Sequence, residues 1–356
     1  MEQAIEISAG GNIYEKIRDG MFTFDDVSGV VGPAVGPRWF LAAGFDLALM
    51  RAGVLGRKYP VTLAGASAGA LRFGAWVQPE PERAYRRLVD SYSSLSFTGR
   101  DTPATIQQAL ADVIDEYIED DAVPFVLANR RYRLAFTVAR MRHLLRSDIG
   151  LFQLPALVMA GLCNIVSPGA RSLFFQRVVF YSGYQPPAFC RRPEFRGLTI
   201  PLDQANFKRV LLASSAVPLQ VAGVKNIFGA PRGLYRDGGL VDYHCNQYHG
   251  GDGDGVVLMF HHQKDIVPTW LDGRLIHRTL PPSWTGNVLL ITPTPSFVAS
   301  LPDGKIPDRT DFTTFADNPE ERLKRWRRVI DLSMPLGGGF LDLVAGGGIR
   351  NVVQRL

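Results

Sequence analysis

Apolar and polar positions along the chain predict short strands that alternate with helices. Residues 59–64 form an apolar run of the length of a buried strand, and residues 70–77 after them have a helical composition. Residues 39–51 are also predicted to form a helix, with Gly53 as its C-terminal cap. Further strands are predicted from Val27 onward and at residues 178–181, 198–201, 233–236, 256–260 and 288–292. Strands joined by helices are typical of an α/β fold with a central, mostly parallel sheet.

The middle third of the chain has a different pattern. Residues 130–146 are rich in arginine and have helical spacing, and residues 149–166 carry no charged side chain. The uncharged stretch approaches the length of a membrane-spanning helix, but Gln153, Pro155 and Asn164 interrupt its apolar character. We therefore expect a buried helix or one that docks on a membrane, within a helical insertion at about residues 80–175.

Composition and charge limit the classes of function. Hydrophobic residues make up 46% of the chain and charged residues 21%, which is typical of a globular protein with a sizeable core. The formal net charge of +5 is small for 356 residues, so we expect no nucleic-acid partner. Three widely spaced cysteines, Cys163, Cys190 and Cys245, indicate a reducing compartment. The first twenty residues lack the apolar segment of a signal peptide, and we expect a cytoplasmic protein.

The pentapeptide Gly65-Ala66-Ser67-Ala68-Gly69 lies between the predicted strand and the predicted helix. It matches the G-x-S-x-G nucleophile elbow, in which a serine occupies a strained turn and Gly65 and Gly69 avoid collisions with neighbouring backbone. The N-terminus of the helix that follows would favour negative charge at the reacting centre. Ser67 is therefore the predicted nucleophile, against the alternative of a small-residue turn with an idle serine.

A serine hydroxyl needs a neighbouring base to take its proton. One solution is a Ser-His-Asp triad, for which the chain offers His143, His244, His249, His261, His262 and His277. The other is an aspartate that acts directly, and Asp237 follows a predicted strand and precedes Gly238 and Gly239. The ordinary pKa of an aspartate is about 3.9, so the site must raise that pKa or hold the carboxylate against the hydroxyl.

Three motifs in a fixed order resemble the patatin-like phospholipase family. Besides the elbow, these are the segment ASSAVP at residues 213–218 and the triplet Asp237-Gly238-Gly239. The resemblance covers about residues 27–242 and implies a three-layer α/β sandwich with a Ser67–Asp237 dyad that needs no histidine. It also implies a lipid acyl hydrolase whose substrate is a phospholipid or another acyl ester, and no cofactor is expected.

The glycine-rich oxyanion loop of that family is altered in this chain. The family pattern Gly-Gly-Gly-x-Arg/Lys-Gly aligns with residues 34–39, where Gly36 and Arg38 keep it but Ala34 and Val35 replace two glycines. The proline after Gly36 has no N–H to donate, whereas the N–H groups of Ala34, Val35 and Gly36 could still face an oxyanion. We predict the oxyanion hole at Ala34, Val35, Gly36 and Arg38. Loss of one donor typically costs about 10²–10³ in rate, so a weak or silent enzyme is the alternative.

His261 and His262 follow the predicted strand at residues 256–260. Adjacent histidines after an apolar run are typical of a strand end, and no third metal ligand lies at a useful sequence spacing. We therefore predict no metal site. His244 follows soon after Asp237 and either approaches the active site or packs at the surface.

These predictions define a domain arrangement and three hypotheses of function. We expect an N-terminal leader at residues 1–24, a patatin-like acyl hydrolase domain at 25–300 and a C-terminal helical extension at 301–356. The first hypothesis is a serine lipid acyl hydrolase with peripheral membrane contact, because the arginine-rich segment and the uncharged stretch suit an anionic lipid surface. The alternatives are a catalytically silent lipid-binding protein and a Ser-His-Asp esterase.

Overall fold

An 11-stranded sheet forms the centre of the protein in a computed structural model that describes residues 4–244, 246–251, 255–275 and 277–356. The strands are β1 (Ile5–Ala9), β2 (Val27–Gly32), β3 (Val61–Ala66), β4 (Tyr132–Met141), β5 (Phe175–Tyr181), β6 (Gly197–Pro201), β7 (Val224–Lys225), β8 (Leu234–Arg236), β9 (Val256–Phe260), β10 (Val288–Pro293) and β11 (Val353–Arg355). Their order is β11-β1-β10-β9-β2-β3-β4-β5-β6, and β8 joins β4 to β7. Of the three cysteines, Cys163 and Cys190 are free thiols, and Cys245 lies outside the described residues.

The middle of the sheet is parallel. The pairs β10–β9, β9–β2, β2–β3 and β3–β4 all run parallel, whereas β1–β10 and β4–β5 are antiparallel. Parallel neighbours need a crossover connection, and helices supply most of these. The prediction of an α/β fold with a central, mostly parallel sheet is confirmed.

Helices cover one face of the sheet more fully than the other. They are α1 (Tyr14–Arg18), α2 (Ala43–Ala52), α3 (Ala68–Trp76), α4 (Pro81–Ser94), α5 (Pro103–Tyr117), α6 (Val123–Leu127), α7 (Gly150–Val166), α8 (Arg171–Phe174), α9 (Phe207–Ser214), α10 (Pro295–Ala299), α11 (Asp311–Thr314), α12 (Pro319–Ala345) and α13 (Ile349–Val352). The main core lies between the sheet and α2, α3, α4, α5, α9 and α12. On the second face α7 packs over β4, β5 and β8, and loops around Phe189 and Ile266 cover the rest. Within the described residues, no helix combines the length and apolar character that crossing a bilayer requires.

The arginine-rich segment at residues 130–146 is mainly a strand, so the prediction of a helix there is wrong. β4 spans most of it, and residues 134–139 are buried on both faces of the sheet. Because neighbours cover both faces, the strand lacks the apolar–polar alternation that would have revealed it. The expected helical insertion at about residues 80–175 therefore contains a central strand as well as α4 to α8.

Both ends of the described chain join the sheet. β1 lies between β10 and β11, so residues 5–9 are part of the sheet and not of a peripheral leader. Four of the five residues of β1, Ile5, Ile7, Ser8 and Ala9, are buried, and Glu6 is partly exposed. The C-terminal segment at residues 301–356 is helical in α11, α12 and α13, but it ends in β11.

A buried ion pair fixes α3 against two neighbouring helices. Arg72 of α3 donates from Nε and Nη2 to the two carboxylate oxygens of Asp46 in α2, at 2.7 and 2.8 Å. The Tyr85 hydroxyl of α4 donates to the same carboxylate at 2.5 Å. Because the carboxylate and the guanidinium are paired and hydrogen-bonded, they can be buried together. The helix that begins at the predicted nucleophile therefore has a fixed position.

Candidate active site

Ser67 occupies a strained turn between β3 and α3. Its backbone angles, φ 51° and ψ −121°, are rare for a residue with a side chain, and Ser67 is only 4% exposed. The turn leaves no room beside it: a Cβ on Gly69 would lie 1.8 Å from the carbonyl oxygen of Gly32. A Cβ on Gly65 would lie 2.6 Å from the carbonyl carbon of Gly69. Both glycines of the motif therefore lie where no larger residue fits.

The Ser67 hydroxyl donates a hydrogen bond of 2.8 Å to Oδ2 of Asp237. Asp237 directly follows β8, and its other oxygen, Oδ1, accepts the N–H of Gly239 at 2.7 Å. A Cβ on Gly238 would lie 2.2 Å from the carbonyl oxygen of Thr137 in β4, so only glycine lets this loop approach the sheet. The structure thus brings together the predicted nucleophile and base, which are 170 positions apart in the sequence.

Ser214 holds the backbone of the elbow. The N–H of Ser67 donates to Oγ of Ser214 at 2.8 Å, and the Ser214 hydroxyl donates to the carbonyl of Thr137 at 2.8 Å. Ser67, Ser214 and Thr137 are all buried. The sequence identified the segment at 213–218 by resemblance, and the structure gives its first serine a positioning role.

The surroundings of Asp237 suit a base. Burial raises the pKa of Asp237 above its ordinary value, although the positive charge of Arg309, the N–H of Gly239 and the Ser67 hydroxyl oppose the rise. A carboxylate with a raised pKa accepts a proton more readily near neutral pH. Within the described part of the chain, no histidine hydrogen-bonds to the Ser67 hydroxyl.

Arg309 is a site residue that the sequence analysis missed. Its Nη2 lies 3.9 Å from Oδ2 of Asp237, and its side chain, 33% exposed, lines the same cavity as Ser67. It also contacts the predicted oxyanion loop, because a Cβ on Gly36, where φ is +56°, would lie 3.0 Å from Nε of Arg309. The C-terminal segment supplies this arginine, and no motif in the sequence connects it with the elbow.

Two of the four predicted oxyanion residues, Ala34 and Arg38, are engaged away from Ser67. The N–H of Ala34 donates to the carbonyl of Tyr243 at 2.6 Å, so it is not left for an oxyanion, contrary to the prediction. Arg38 lies 3.6 Å from Asp308 and is not among the residues that line the Ser67 cavity. Val35 and Gly36 begin the 3-10 helix Gly36–Ala42 beside Arg309. The local sequence gives no sign that Tyr243 would lie beside Ala34 and accept its N–H.

A cavity of about 490 Å³ opens beside Ser67. Its walls are mostly apolar and include Leu71, Leu95, Phe97, Leu110, Val217 and Phe312. Its volume falls in the range of about 300–1,000 Å³ that is usual for small-molecule sites. A second cavity of about 440 Å³, lined by Ser28, Arg133 and Tyr248 among others, contains neither Ser67 nor Asp237. We therefore assign the first cavity to the candidate active site.

Three histidines meet at a different place, near Arg38. One ring nitrogen of His244, one of His261 and one of His262 all lie within 4.8 Å of one another. His244 therefore supplies a third candidate ligand that the sequence spacing did not reveal, because the loop after Asp237 returns to the end of β9. Burial lowers the pKa of all three imidazoles, that of His261 to about 4, so the rings are neutral at pH 7.

Comparison with known proteins adds a distant likeness in fold. No protein-family model and no curated sequence matches this chain. Among solved structures, human GIVD cytosolic phospholipase A2 is similar over 98% of this chain and 67% of its own length. The TM-score is 0.39 and the sequence identity 10%. The case for a function rests on the geometry of the site itself.

Proposed function

We propose that the protein is a serine acyl hydrolase with Ser67 as nucleophile and Asp237 as its base. The observation that carries the proposal is the 2.8 Å hydrogen bond from the Ser67 hydroxyl to Asp237 at a strained turn beside an apolar cavity. Backbone strain of this kind persists where the surrounding structure enforces it, and it is concentrated at functional sites. A buried carboxylate with a raised pKa supplies the base that a serine nucleophile requires.

The reaction proceeds in two halves. Asp237 accepts the Ser67 proton while Oγ attacks the ester carbonyl, and the tetrahedral intermediate collapses when the alcohol leaves with that proton. Asp237 then takes a proton from water, the hydroxide attacks the acyl-enzyme, and the carboxylic acid and the Ser67 hydroxyl are released. The oxyanion is stabilised at the N-terminus of α3, by the N–H of Ala68 together with those of Val35 and Gly36.

The lining of the cavity supports one class of substrate. Its apolar walls suit an acyl chain, and Arg309 places a positive charge near the reacting serine. An acyl ester with a negatively charged head group, such as a phospholipid, offers both features. We therefore propose a phospholipid or a related acyl ester as substrate.

We also propose that α7 docks on an anionic lipid surface. The helix carries no charged residue and exposes a row of large apolar side chains: Leu151, Phe152, Leu154, Val158, Met159, Leu162, Ile165 and Val166. Leu151 is 77% and Val166 87% exposed. Contact of such an apolar surface with water is unfavourable, and large exposed apolar patches mark sites of protein or membrane contact. Exposed Arg146 precedes the helix, and Arg278 donates to the carbonyls of its last turn, which adds positive charge at both ends.

The opposite face of α7 connects the helix to the active-site cavity. Oε1 of Gln153 accepts the N–H of Leu219, a cavity residue, at 2.6 Å. Near the other end, Nδ2 of Asn164 donates to Asp272 at 2.7 Å. Both amides are buried and hold the helix against the body of the protein. The buried face of α7 is therefore fixed to Leu219, which lines the cavity that contains Ser67.

Hydrolysis assays test the proposed chemistry. We expect wild type to hydrolyse acyl esters and phospholipids, Ser67→Ala to lose at least about 10⁴-fold in kcat, and Asp237→Asn to lose about 10²–10⁴-fold. Ser215→Ala is the matched control, because Ser215 is a buried serine of the same cavity whose hydroxyl has no hydrogen-bond partner. Activity that survives Ser67→Ala contradicts the proposal. Lipid binding without any hydrolysis in wild type favours a silent lipid-binding protein.

A further inference from the structure

The cluster of His244, His261 and His262 takes no part in the proposed hydrolysis. His244 and His261 are 3% and 2% exposed, and His262 is partly exposed. Ring centroids lie 4.1 Å apart for His244 and His261 and 4.3 Å apart for His261 and His262. Three imidazoles from two separate segments therefore share one small volume.

One nitrogen of each ring lacks a hydrogen-bond partner. These buried atoms are Nε2 of His244, Nε2 of His261 and Nδ1 of His262. Buried polar groups are nearly always satisfied, so three orphaned nitrogens in one cluster call for a common partner. A metal ion could bind all three at once.

Backbone contacts orient two of the rings. Nδ1 of His261 lies 2.6 Å from the carbonyl oxygen of Gln263, which favours a proton on Nδ1 and leaves the lone pair on Nε2. The contact of His261 is typical of histidines that bind metals, because donation from the other ring nitrogen fixes the tautomer and the ring plane. Nδ1 of His244 instead accepts the N–H of Val267 at 3.0 Å, so binding of a metal through Nε2 requires this ring to exchange that contact for donation to the backbone of Asp265.

We infer that His244, His261 and His262 form a binding site for a divalent transition-metal ion, with Zn²⁺ as the best match. Three imidazole nitrogens suit zinc and its neighbours, and the absence of a carboxylate ligand in the cluster disfavours Ca²⁺ and Mg²⁺. Zn–N bonds of roughly 2.0–2.1 Å require the three nitrogens, which lie within 4.8 Å of one another, to move closer together.

The charges around the cluster permit a cation. The positive charge of Arg38 is close enough to repel positive charge on all three rings. Asp308 lies 3.6 Å from Arg38 and offsets its charge. The site therefore does not face an uncompensated arginine.

The ion would join two segments behind the active site. His244 belongs to the loop that follows Asp237, and His261 and His262 follow β9. Tyr243, next to His244, accepts the N–H of Ala34 through its carbonyl, so a bound ion would fix the wall behind the oxyanion loop. None of the proposed catalytic residues belongs to the histidine cluster, so the metal site does not depend on the hydrolysis proposal.

Metal titration of the full chain, with any histidine tag removed, tests the inference. After treatment with a chelator, we expect wild type to bind one equivalent of Zn²⁺, to show a visible absorption spectrum with Co²⁺, and to gain thermal stability with Zn²⁺. His261→Gln and His262→Gln should lose more than the about 10–100-fold in affinity that removal of an outer-shell partner costs. His143→Gln, at an exposed histidine outside the cluster, should bind as wild type does.

Two results would overturn the inference. One is the failure of wild type to bind stoichiometric Zn²⁺ or Co²⁺, and the other is unchanged affinity in both cluster variants. Circular dichroism shows whether each variant is folded, and His262→Gln, at the partly exposed position, keeps the test valid if His261→Gln does not fold. Ester hydrolysis is measured separately, so loss of the metal site and loss of catalysis are distinguishable.

Discussion

Two opposing effects determine the pKa of Asp237, the base of the proposed dyad. Burial disfavours the charged carboxylate of Asp237 and raises its pKa, while the guanidinium of Arg309, 3.9 Å away, stabilises the charge and lowers it. The raised pKa means that burial outweighs the arginine. Only the ionised carboxylate can accept the Ser67 proton, so activity should fall as pH decreases through this pKa.

Replacement of Arg309 should shift the pH dependence in a defined direction. In Arg309→Gln the positive charge is gone, the pKa of Asp237 rises further, and the acidic limb of kcat/KM moves to higher pH. At pH values near that limb we expect a several-fold loss of activity, with recovery at higher pH. Arg309→Lys keeps the charge and should keep the limb near its wild-type position. A limb that stays in place or moves to lower pH in Arg309→Gln is inconsistent with this role.

At the residue scale, the sequence identified what short motifs encode. Ser67 and Asp237 each belong to a short motif in which glycines allow a tight turn. The structure places the two side chains in hydrogen-bond contact. Arg309 and the contact between Ala34 and Tyr243 depend on segments that meet only after folding. The His244 partner of His261 and His262 was missed for the same reason.

Helices α2 and α12 cross in close contact. A Cβ on Gly337 of α12 would lie 2.4 Å from the carbonyl oxygen of Gly44 in α2. Gly339, two positions later on the same helix, is exposed and has no atom within 4 Å of such a Cβ. The glycine run at residues 337–339 therefore contains one position required for packing and one that is free to change.

Alanine substitution should separate these two glycines. Gly337→Ala forces the helices apart and should lower the free energy of unfolding by about 1–3 kcal/mol. Gly339→Ala meets no neighbour and should raise it by up to about 1 kcal/mol, because alanine favours the helix. Urea unfolding followed by circular dichroism measures both. Equal effects of the two substitutions would show that the crossing does not depend on Gly337.

At the element scale, strands with a clear hydrophobic pattern were predicted from the sequence, and strands without one were missed. β3, β9 and β10 are short apolar runs bounded by turns, and the sequence placed all three. β4 was missed because its buried residues 134–139 lie between arginines whose spacing suggested a helix. β1 was missed because five residues near the chain start carry little pattern until they pair with β10.

At the scale of the whole molecule, α7 is joined to the wall of the cavity through its buried face. Leu219 lines the cavity and donates its N–H to the buried Gln153 of α7. Arg146 and Arg278 add positive charge at its two ends. The proposed docking of α7 would therefore hold a lipid surface against the helix whose buried face contacts this cavity wall.

Charged substitutions on α7 should weaken membrane binding without an effect on the chemistry. Leu151→Asp and Val166→Asp change highly exposed residues, and each should lower affinity for phosphatidylserine-containing vesicles at least about tenfold, since burial of such a side chain is worth about 1.5–3 kcal/mol. Tyr184→Asp, at a residue outside α7 that is 97% exposed, is the control. Vesicle sedimentation measures binding, and hydrolysis of a soluble short-chain ester should stay unchanged. Vesicle binding that is insensitive to both α7 changes would contradict docking through this helix.

The most direct test of the Ser67–Asp237 pair is covalent trapping of the nucleophile. A fluorophosphonate reacts with a serine hydroxyl only when a base activates it. We predict one adduct per chain, located on Ser67 by peptide mass spectrometry, with a labelling rate that falls about 10²–10⁴-fold in Asp237→Asn and stays unchanged in Ser215→Ala. An adduct on another residue, or labelling of Asp237→Asn at the wild-type rate, would contradict the account.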